Sequence, residues 1–440
     1  MESTVVVLMF PALFILIFLG IPIAFSLILT SVVAGWFSFG PMIFQQLYGS
    51  LYSASTNYIL SAIPLFVLMG AILEKSGIAK NLFEAIQLWI GRLPGGLAVT
   101  TILMAAIFAA ASGVVGAVEI MIGLMAIPAM QKYKYKNSLI TGTICAGGSL
   151  GTIIPPTVIV VVYSALAQIS IGALFAAIMI PGAIMVFLFI SYIIIRCILR
   201  PSDGPTVTSD TAMDIPFGEK IVITLKSLVP PLLLMYAVLG SLLGGIASPT
   251  EAAAVGVAGA SILALANKGM TRESLREALK MTVRITSMIL LIVAGGTMFT
   301  GIFAVNGGAD MVESIAGALG GGSTEIIIFF LLVTFFLGFV LDWTSIVLIC
   351  VPIFTPIIRS LEVDPIWFAT LVLITIQTSY LTPPMASSIF YLKSIAPKDI
   401  TYGQMCWGVI PFIIAQILTL VIVAYFPFIA TWLPSKIVGF

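Results

Sequence analysis

The sequence predicts an all-α polytopic membrane protein with two inverted repeats, each holding a re-entrant helical hairpin and a helix broken at a Pro-Pro pair. Three observations carry this. Of 440 residues, 60% are hydrophobic and 8% are charged, with a mean hydropathy of +1.20, whereas a soluble domain carries about 25% charged residues. Apolar segments recur along the whole chain. The prolines also repeat: Pro128 precedes Pro155-Pro156 by 27 residues, Pro356 precedes Pro383-Pro384 by the same 27, and the offset between copies is 228.

The same composition excludes several functions. Nineteen Lys and Arg against eighteen Asp and Glu give a net charge of +1, so no basic surface exists to neutralise nucleic-acid phosphates. The chain has no His and no Gly-rich phosphate loop, and Cys145, Cys197, Cys350 and Cys406 lie apart in or beside apolar stretches. The usual signatures of metal hydrolysis, His-based catalysis and ATP hydrolysis are therefore absent. The cysteines read as small apolar fillers. No nucleophile and base pair stands out, so the chain is not expected to be an enzyme and needs no cofactor.

Residues 1–57 are expected to form an N-terminal scaffold helix and an interfacial segment. The run 4–37 is preceded by no Lys or Arg and exceeds a signal-peptide core of about 7–15 residues, so it reads as one retained, Pro-containing membrane helix. Residues 58–200 form the first repeat, with a hairpin at 95–130 and a broken helix at 138–167. Residues 201–282 hold a Pro-, Ser-, Thr- and Asp-containing cytoplasmic linker, scaffold helices and an amphipathic piece at 271–281. That piece lies along the inner interface or packs on other protein. Residues 283–440 form the second repeat, with a hairpin at 325–358 and a broken helix at 365–396. A single span needs about 20 residues, so both hairpin segments are too long for one crossing. Ser248-Pro249-Thr250-Glu251 has the pattern of a capping box that starts a helix.

Charge sets the orientation, because Lys and Arg accumulate in cytoplasmic loops. Lys75, Lys80 and Arg92 precede the first hairpin and Lys132, Lys134 and Lys136 follow it, so it enters and leaves on the cytoplasmic side. Arg272, Arg276, Lys280 and Arg284 return to the cytoplasm further on. The second hairpin, between Glu325 and the group Arg359, Glu362 and Asp364, then lies on the outer side. The two copies thus have opposite orientation.

The chemistry is expected where the helices break. Residues 147–156 place Gly147, Gly148, Gly151, Pro155 and Pro156 in mid-membrane, and 375–384 repeat the break with Thr378, Ser379, Tyr380 and Thr382 before Pro383-Pro384. Proline removes backbone donors and glycine permits non-helical angles, so the helix unwinds. Freed carbonyls and hydroxyls are hard oxygen ligands suited to Na+. One ion site is expected where Ser112 and Gly113, in the first hairpin turn, meet Gly147, Ser149, Gly151 and Thr152. A second is expected where Asp342, Thr344 and Ser345 meet Thr378, Ser379 and Thr382. Asp342 faces a cation, a donor or water, or caps the second half-helix. Glu119 has a direct role or makes a buried hydrogen bond.

Several stretches together resemble the large membrane subunit of tripartite ATP-independent periplasmic (TRAP) transporters. They are residues 147–157, Ser248 to Ala254, Asp364-Pro365, Leu381-Thr382-Pro383-Pro384-Met385 and Ile171-Gly172-Ala173-Leu174-Phe175. The resemblance covers nearly the whole chain. It implies an elevator-type secondary transporter of the ion-transporter superfamily in the bacterial inner membrane, coupled to Na+. It also implies a separate small membrane subunit, a periplasmic substrate-binding protein and a small organic acid as substrate. The substrate would then lie against Ser112, Ser149, Pro155, Pro156, Tyr380, Pro383 and Pro384. Tyr380 stands where many family members carry Gly, which makes the pocket bulkier. The alternative is a stand-alone Na+/organic anion symporter of the same superfamily.

Overall fold

The computed structural model describes every residue except 1, 113–114, 207–214, 309, 312–313, 315–316, 318–321, 385 and 438–440. The N-terminal elements are α1 (Glu2–Phe18), α2 (Ile23–Phe39) and α3 (Ile43–Ser55). The run at 4–37 is therefore two helices and not one. Gly20 takes a φ of +85°, and Pro22, which has no N–H to continue a helix, stands as the N-cap of α2. In α3, Ile43 and Leu47 are buried one turn apart, while Phe44, Tyr48 and Tyr52 are exposed.

Next come α4 (Ala62–Lys75) and α5 (Ile78–Ile90). The latter is an element that hydropathy alone did not single out; it buries Ile78, Leu82, Phe83 and Ile86 on one face. The first hairpin is α6 (Gly96–Ser112) and α7 (Val115–Lys132), and the first broken helix is α8 (Asn137–Ser149) and α9 (Val158–Ala167). The long α10 (Ile171–Leu199) leads to α11 (Phe217–Leu243), α12 (Pro249–Ala266) and α13 (Arg272–Val305). Ser248 and Glu251 form the capping box of α12.

The amphipathic stretch at 271–281 is not a separate interfacial helix, since it is the start of the 34-residue α13. No Gly or Pro stands between Arg272 and Val293 to turn the chain. Its charged residues stay exposed, and one of them is paired: Lys75 Nζ at the end of α4 lies 3.1 Å from the Glu277 carboxylate.

The second hairpin is α14 (Ser323–Leu337) and α15 (Trp343–Ser360), followed by α16 (Pro365–Leu381) and α17 (Ser387–Ile395). The last apolar run divides at Pro427 into α18 (Tyr402–Tyr425) and α19 (Phe428–Ile437). Among the described residues, eight helical segments are long and apolar enough to cross a membrane.

Two packing groups organise these helices. In the first, α4 packs on α12 and α13, α2 and α3 pack on α13, and α11 packs on α12. In the second, α8 packs on α6, α7 and α18, and α16 packs on α14, α15 and α18. The halves are exchanged between copies, because α9 packs on α15 and α17 packs on α7. Adding the offset of 228 to the bounds of α7 reproduces both bounds of α15. Each broken helix is enclosed by protein: Leu139–Ser149 and Phe368–Leu381 are buried at every position.

A polar cluster fixes the end of α10. Arg196 donates from Nε to Asp203 Oδ2 at 2.9 Å and from Nη1 to the Tyr192 hydroxyl at 2.6 Å, and Lys136 Nζ lies 3.5 Å from Asp203 Oδ1. The backbone joins in, with Lys136 N–H donating to Asp203 O and Gly95 N–H to Gly204 O, each at 3.0 Å. Burial alone would raise the Asp203 carboxyl above its ordinary range, but the hydrogen bonds and charges of Arg196 and Lys136 hold it below. A lowered carboxylate favours the folded state above the unfolded pKa of about 3.9 and loses that contribution as pH falls further. Asp203→Asn is expected to cost about 1–3 kcal/mol at pH 7. In detergent thermal unfolding its deficit should shrink below pH 4 or so, and a deficit independent of pH would remove the charge from this explanation.

Candidate functional site

The first helix break sits deep in the second packing group, with 150–153 and 155–157 buried, whereas the second lies nearer the surface, with Thr382 and Pro383 half-buried and Pro384 exposed. Ser149, the last residue of α8, is fully buried; its hydroxyl donates to Ala146 O at 2.8 Å and accepts from Gln377 Nε2 at 3.3 Å and Gln416 Nε2 at 3.2 Å. Gln377 stands 228 residues from Ser149, so equivalent positions of the two copies touch, and this bond marks where they meet. Both breaks contain a cis Pro-Pro bond, Pro155-Pro156 and Pro383-Pro384.

Glu119 of α7 joins the copies a second time. It is fully buried and accepts from the Ser388 hydroxyl on Oε1 and from the Tyr380 hydroxyl on Oε2, the latter at 3.3 Å. Room for it depends on Gly148, where a Cβ would lie 2.8 Å from Glu119 Cβ and Cγ. Of the two roles open to Glu119, the buried hydrogen bond is the one visible here, and through it the first hairpin holds the Tyr380 ring.

Tyr380 forms part of the wall of a cavity of about 520 Å³. Gly116 and Ile120 come from the first hairpin, Gly151 and Thr152 from the first break, and Val158 and Ile159 from α9. Asp342, Trp343 and Thr344 come from the second hairpin and Ser387 and Tyr391 from α17. The opposite wall is α13, through Met281, Arg284, Ile285, Met288 and Ile289. The cavity therefore lies between the two packing groups.

Asp342 is the N-cap of α15: Oδ2 accepts from Thr344 N–H at 3.2 Å, and Oδ1 accepts from the Ser345 hydroxyl. The turn before it rests directly on the second break, because a Cβ on Gly338 would lie 2.2 Å from Ser379 Cβ. Thr378, Ser379 and Thr382 donate to carbonyls of their own helix at 2.8–2.9 Å, which leaves hydroxyl lone pairs free to accept. The Thr344 hydroxyl is buried with no hydrogen-bond partner in the protein. These oxygens form a donor set of the kind a hard cation takes.

The first expected ion site is seen only in part. Gly113 and the Ser112 side chain lie outside the described residues. Gly151 and Thr152 line the cavity, and Thr152 donates to Ser149 O at 2.8 Å. Gly147 is taken up by packing, since a Cβ there would lie 2.9 Å from Ala105 Cβ. Of the residues expected against substrate, Tyr380 lines the cavity, while Ser149, Pro155, Pro156, Pro383 and Pro384 are not in its wall.

Sequence reasoning missed Arg284, Trp343, Ser387 and Tyr391. Arg284 had a visible signal, because Arg272, Arg276, Lys280 and Arg284 recur every four residues and the last lies beyond the amphipathic stretch. Such spacing puts all four on one helix face. The other three had none, since their place depends on which helices meet.

Glu119→Ala would orphan the buried Tyr380 hydroxyl, at about 1–3 kcal/mol, and leave the Ser388 hydroxyl only the Cys145 carbonyl at 3.3 Å. Glu119→Gln keeps an oxygen for one and an amide for the other. Thermal unfolding in detergent should show a large loss for the alanine and a small one for the glutamine. Equal losses would mean that packing, and not hydrogen bonding, is what Glu119 contributes.

Known proteins share this arrangement. The YdaH transporter of Alcanivorax borkumensis, seen in a crystal structure, has a similar fold, with a TM-score of 0.58 at 13% identity over 88% of this chain and 90% of that one. The C4-dicarboxylate TRAP transporter large permease protein DctM of Pseudomonas aeruginosa is 29% identical over 400 residues, which is 90% of this chain and 91% of that protein. The ectoine/5-hydroxyectoine TRAP transporter large permease protein UehC of Ruegeria pomeroyi is 28% identical over 433 residues, covering 96% and 97%. The family model described as tripartite ATP-independent periplasmic transporter, DctM component, matches residues 10–429. The chain thus belongs to the TRAP transporter large permeases, multi-pass proteins of the inner membrane that are secondary transporters and not enzymes.

Proposed function

We propose that this permease takes up a small organic acid by Na+-coupled secondary transport with an elevator movement, receiving its substrate from a periplasmic binding protein. A small membrane subunit, encoded as a separate chain, completes the transporter. One observation carries the reading: a single cavity collects residues of both hairpins, the first helix break, the two half-helices that flank the second break, and α13. A substrate held there touches both packing groups, so a shift of one group against the other moves the substrate relative to α13. The breaks and turns supply neutral oxygens and the Asp342 carboxylate beside the same cavity. Binding of Na+ at those oxygens is thereby coupled to closure of the second hairpin on the second break, where Gly338 meets Ser379.

The membrane potential adds driving force. Each net positive charge moved inward through 100 mV supplies about 2.3 kcal/mol. The anionic group of the substrate is met by Arg284 on α13, a residue with a planar fork of donors that matches a carboxylate.

Uptake is measured in proteoliposomes with the binding protein and small subunit present, under an inside-negative potential at fixed pH. Replacing Na+ by choline should reduce uptake to background; uptake that persists removes the ion from the mechanism. Asp342→Asn should raise the Na+ concentration for half-maximal uptake on the order of tenfold, equivalent to about 1.4 kcal/mol. Asparagine caps a helix about as well as aspartate, so an unchanged Na+ concentration would identify Asp342 as a cap alone.

A further inference from the structure

We infer that the cavity selects a substrate carrying one carboxylate and an uncharged remainder, with Arg284 as the anchor of that carboxylate and Asp342 as the residue that turns away a second. The inference rests on the transport reading above and narrows its substrate class.

The charges of the wall are few and separated. Arg284 on α13 and Asp342 at the start of α15 are the charged residues lining the cavity among those described, and no ion pair joins them among the described residues. Arg284 is exposed and Asp342 half-buried, and both line the cavity. A dicarboxylate spanning this space would satisfy Arg284 with one end and bring the other against Asp342 or against an apolar wall. Like charges in contact at a partly desolvated site disfavour binding strongly.

Without an ion Asp342 repels a second carboxylate; with Na+ on it that repulsion is lost, and the second carboxylate is left against the apolar part of the wall. If Na+ occupies Asp342, its charge is cancelled and Arg284 remains the single net cation of the wall. One carboxylate is again the complement. What is left for the rest of the substrate is neutral: the hydroxyl of Thr152, the ring of Tyr380, whose own hydroxyl is engaged by Glu119, and the indole and phenol of Trp343 and Tyr391. Hydroxyl or carbonyl groups on a short carbon chain suit such a surface. The volume of about 520 Å³ falls in the usual range of roughly 300–1,000 Å³ for small-ligand sites.

The test uses the full chain purified with its small membrane subunit. Thermal stabilisation at fixed Na+ and pH is recorded with lactate, pyruvate and gluconate as single-carboxylate probes, succinate and malate as dicarboxylates, and glycine betaine as a zwitterion. At least one single-carboxylate acid should stabilise the protein at tenfold lower concentration than either dicarboxylate or the betaine. Arg284→Gln should weaken that acid tenfold or more, Arg284→Lys should recover part of the loss, and in Na+-free buffer Asp342→Asn should let succinate compete. Each variant is accepted only if its elution is monodisperse. The inference is overturned if no single-carboxylate acid binds, if succinate or betaine binds as well as the best of them, or if Arg284→Gln leaves the affinity unchanged. Na+ dependence of wild-type uptake is followed separately, so failure of ion coupling and failure of charge selection give different results.

Discussion

Backbone that leaves the helix inside a membrane must find its hydrogen bonds within the protein, because hydrocarbon offers none. This one constraint organises the molecule. The chain interrupts its helices at 150–157 and 382–386, and the half-helices that lead into both interruptions are carried to the centre of a helix cluster. Everything around them is devoted to enclosure: α8 and α16 are buried along their whole inner lengths, and each is wrapped by a hairpin and by α18.

Enclosure by itself would give two separate sites. The exchange of half-helices between copies makes them one, because α9 lies on the second hairpin and α17 on the first. Two polar contacts pin this exchange. The Ser149 hydroxyl gathers Gln377 and Gln416 at the centre, and Glu119 gathers Ser388 and Tyr380 beside the cavity. In a close-packed interior such contacts specify one arrangement, since an unpaired buried polar group costs more than a paired one gains. Gly148 shows how tight the arrangement is, as a single methyl there would displace the Glu119 stem.

The cavity itself belongs to neither group of helices. The oxygens proposed to hold Na+ come from the hairpins and the segments around the breaks, and Arg284 comes from α13. Relatives of this chain carry substrates as different as C4-dicarboxylates and ectoine by name, and a wall assembled from several elements can change its charge at one residue without disturbing the breaks. This separation of ion chemistry from substrate chemistry suits a family with one fold and many substrates.

Sequence alone determined the all-α membrane class and the helix interruptions at the two Pro-Pro pairs, because composition, proline spacing and glycine content act locally and survive without knowledge of packing. It determined the cap at Ser248 for the same reason. It misjudged the run at 4–37, where Gly20 and Pro22 outweigh the unbroken hydropathy, and the stretch at 271–281, where helix continuity outweighs amphipathic character. Only the tertiary structure decided that Ser149 points to two glutamines, that Glu119 holds Tyr380, and that Arg284 and Asp342 line one cavity. Those facts depend on which helices meet, and contacts between residues more than two hundred positions apart leave no periodic trace in a single chain.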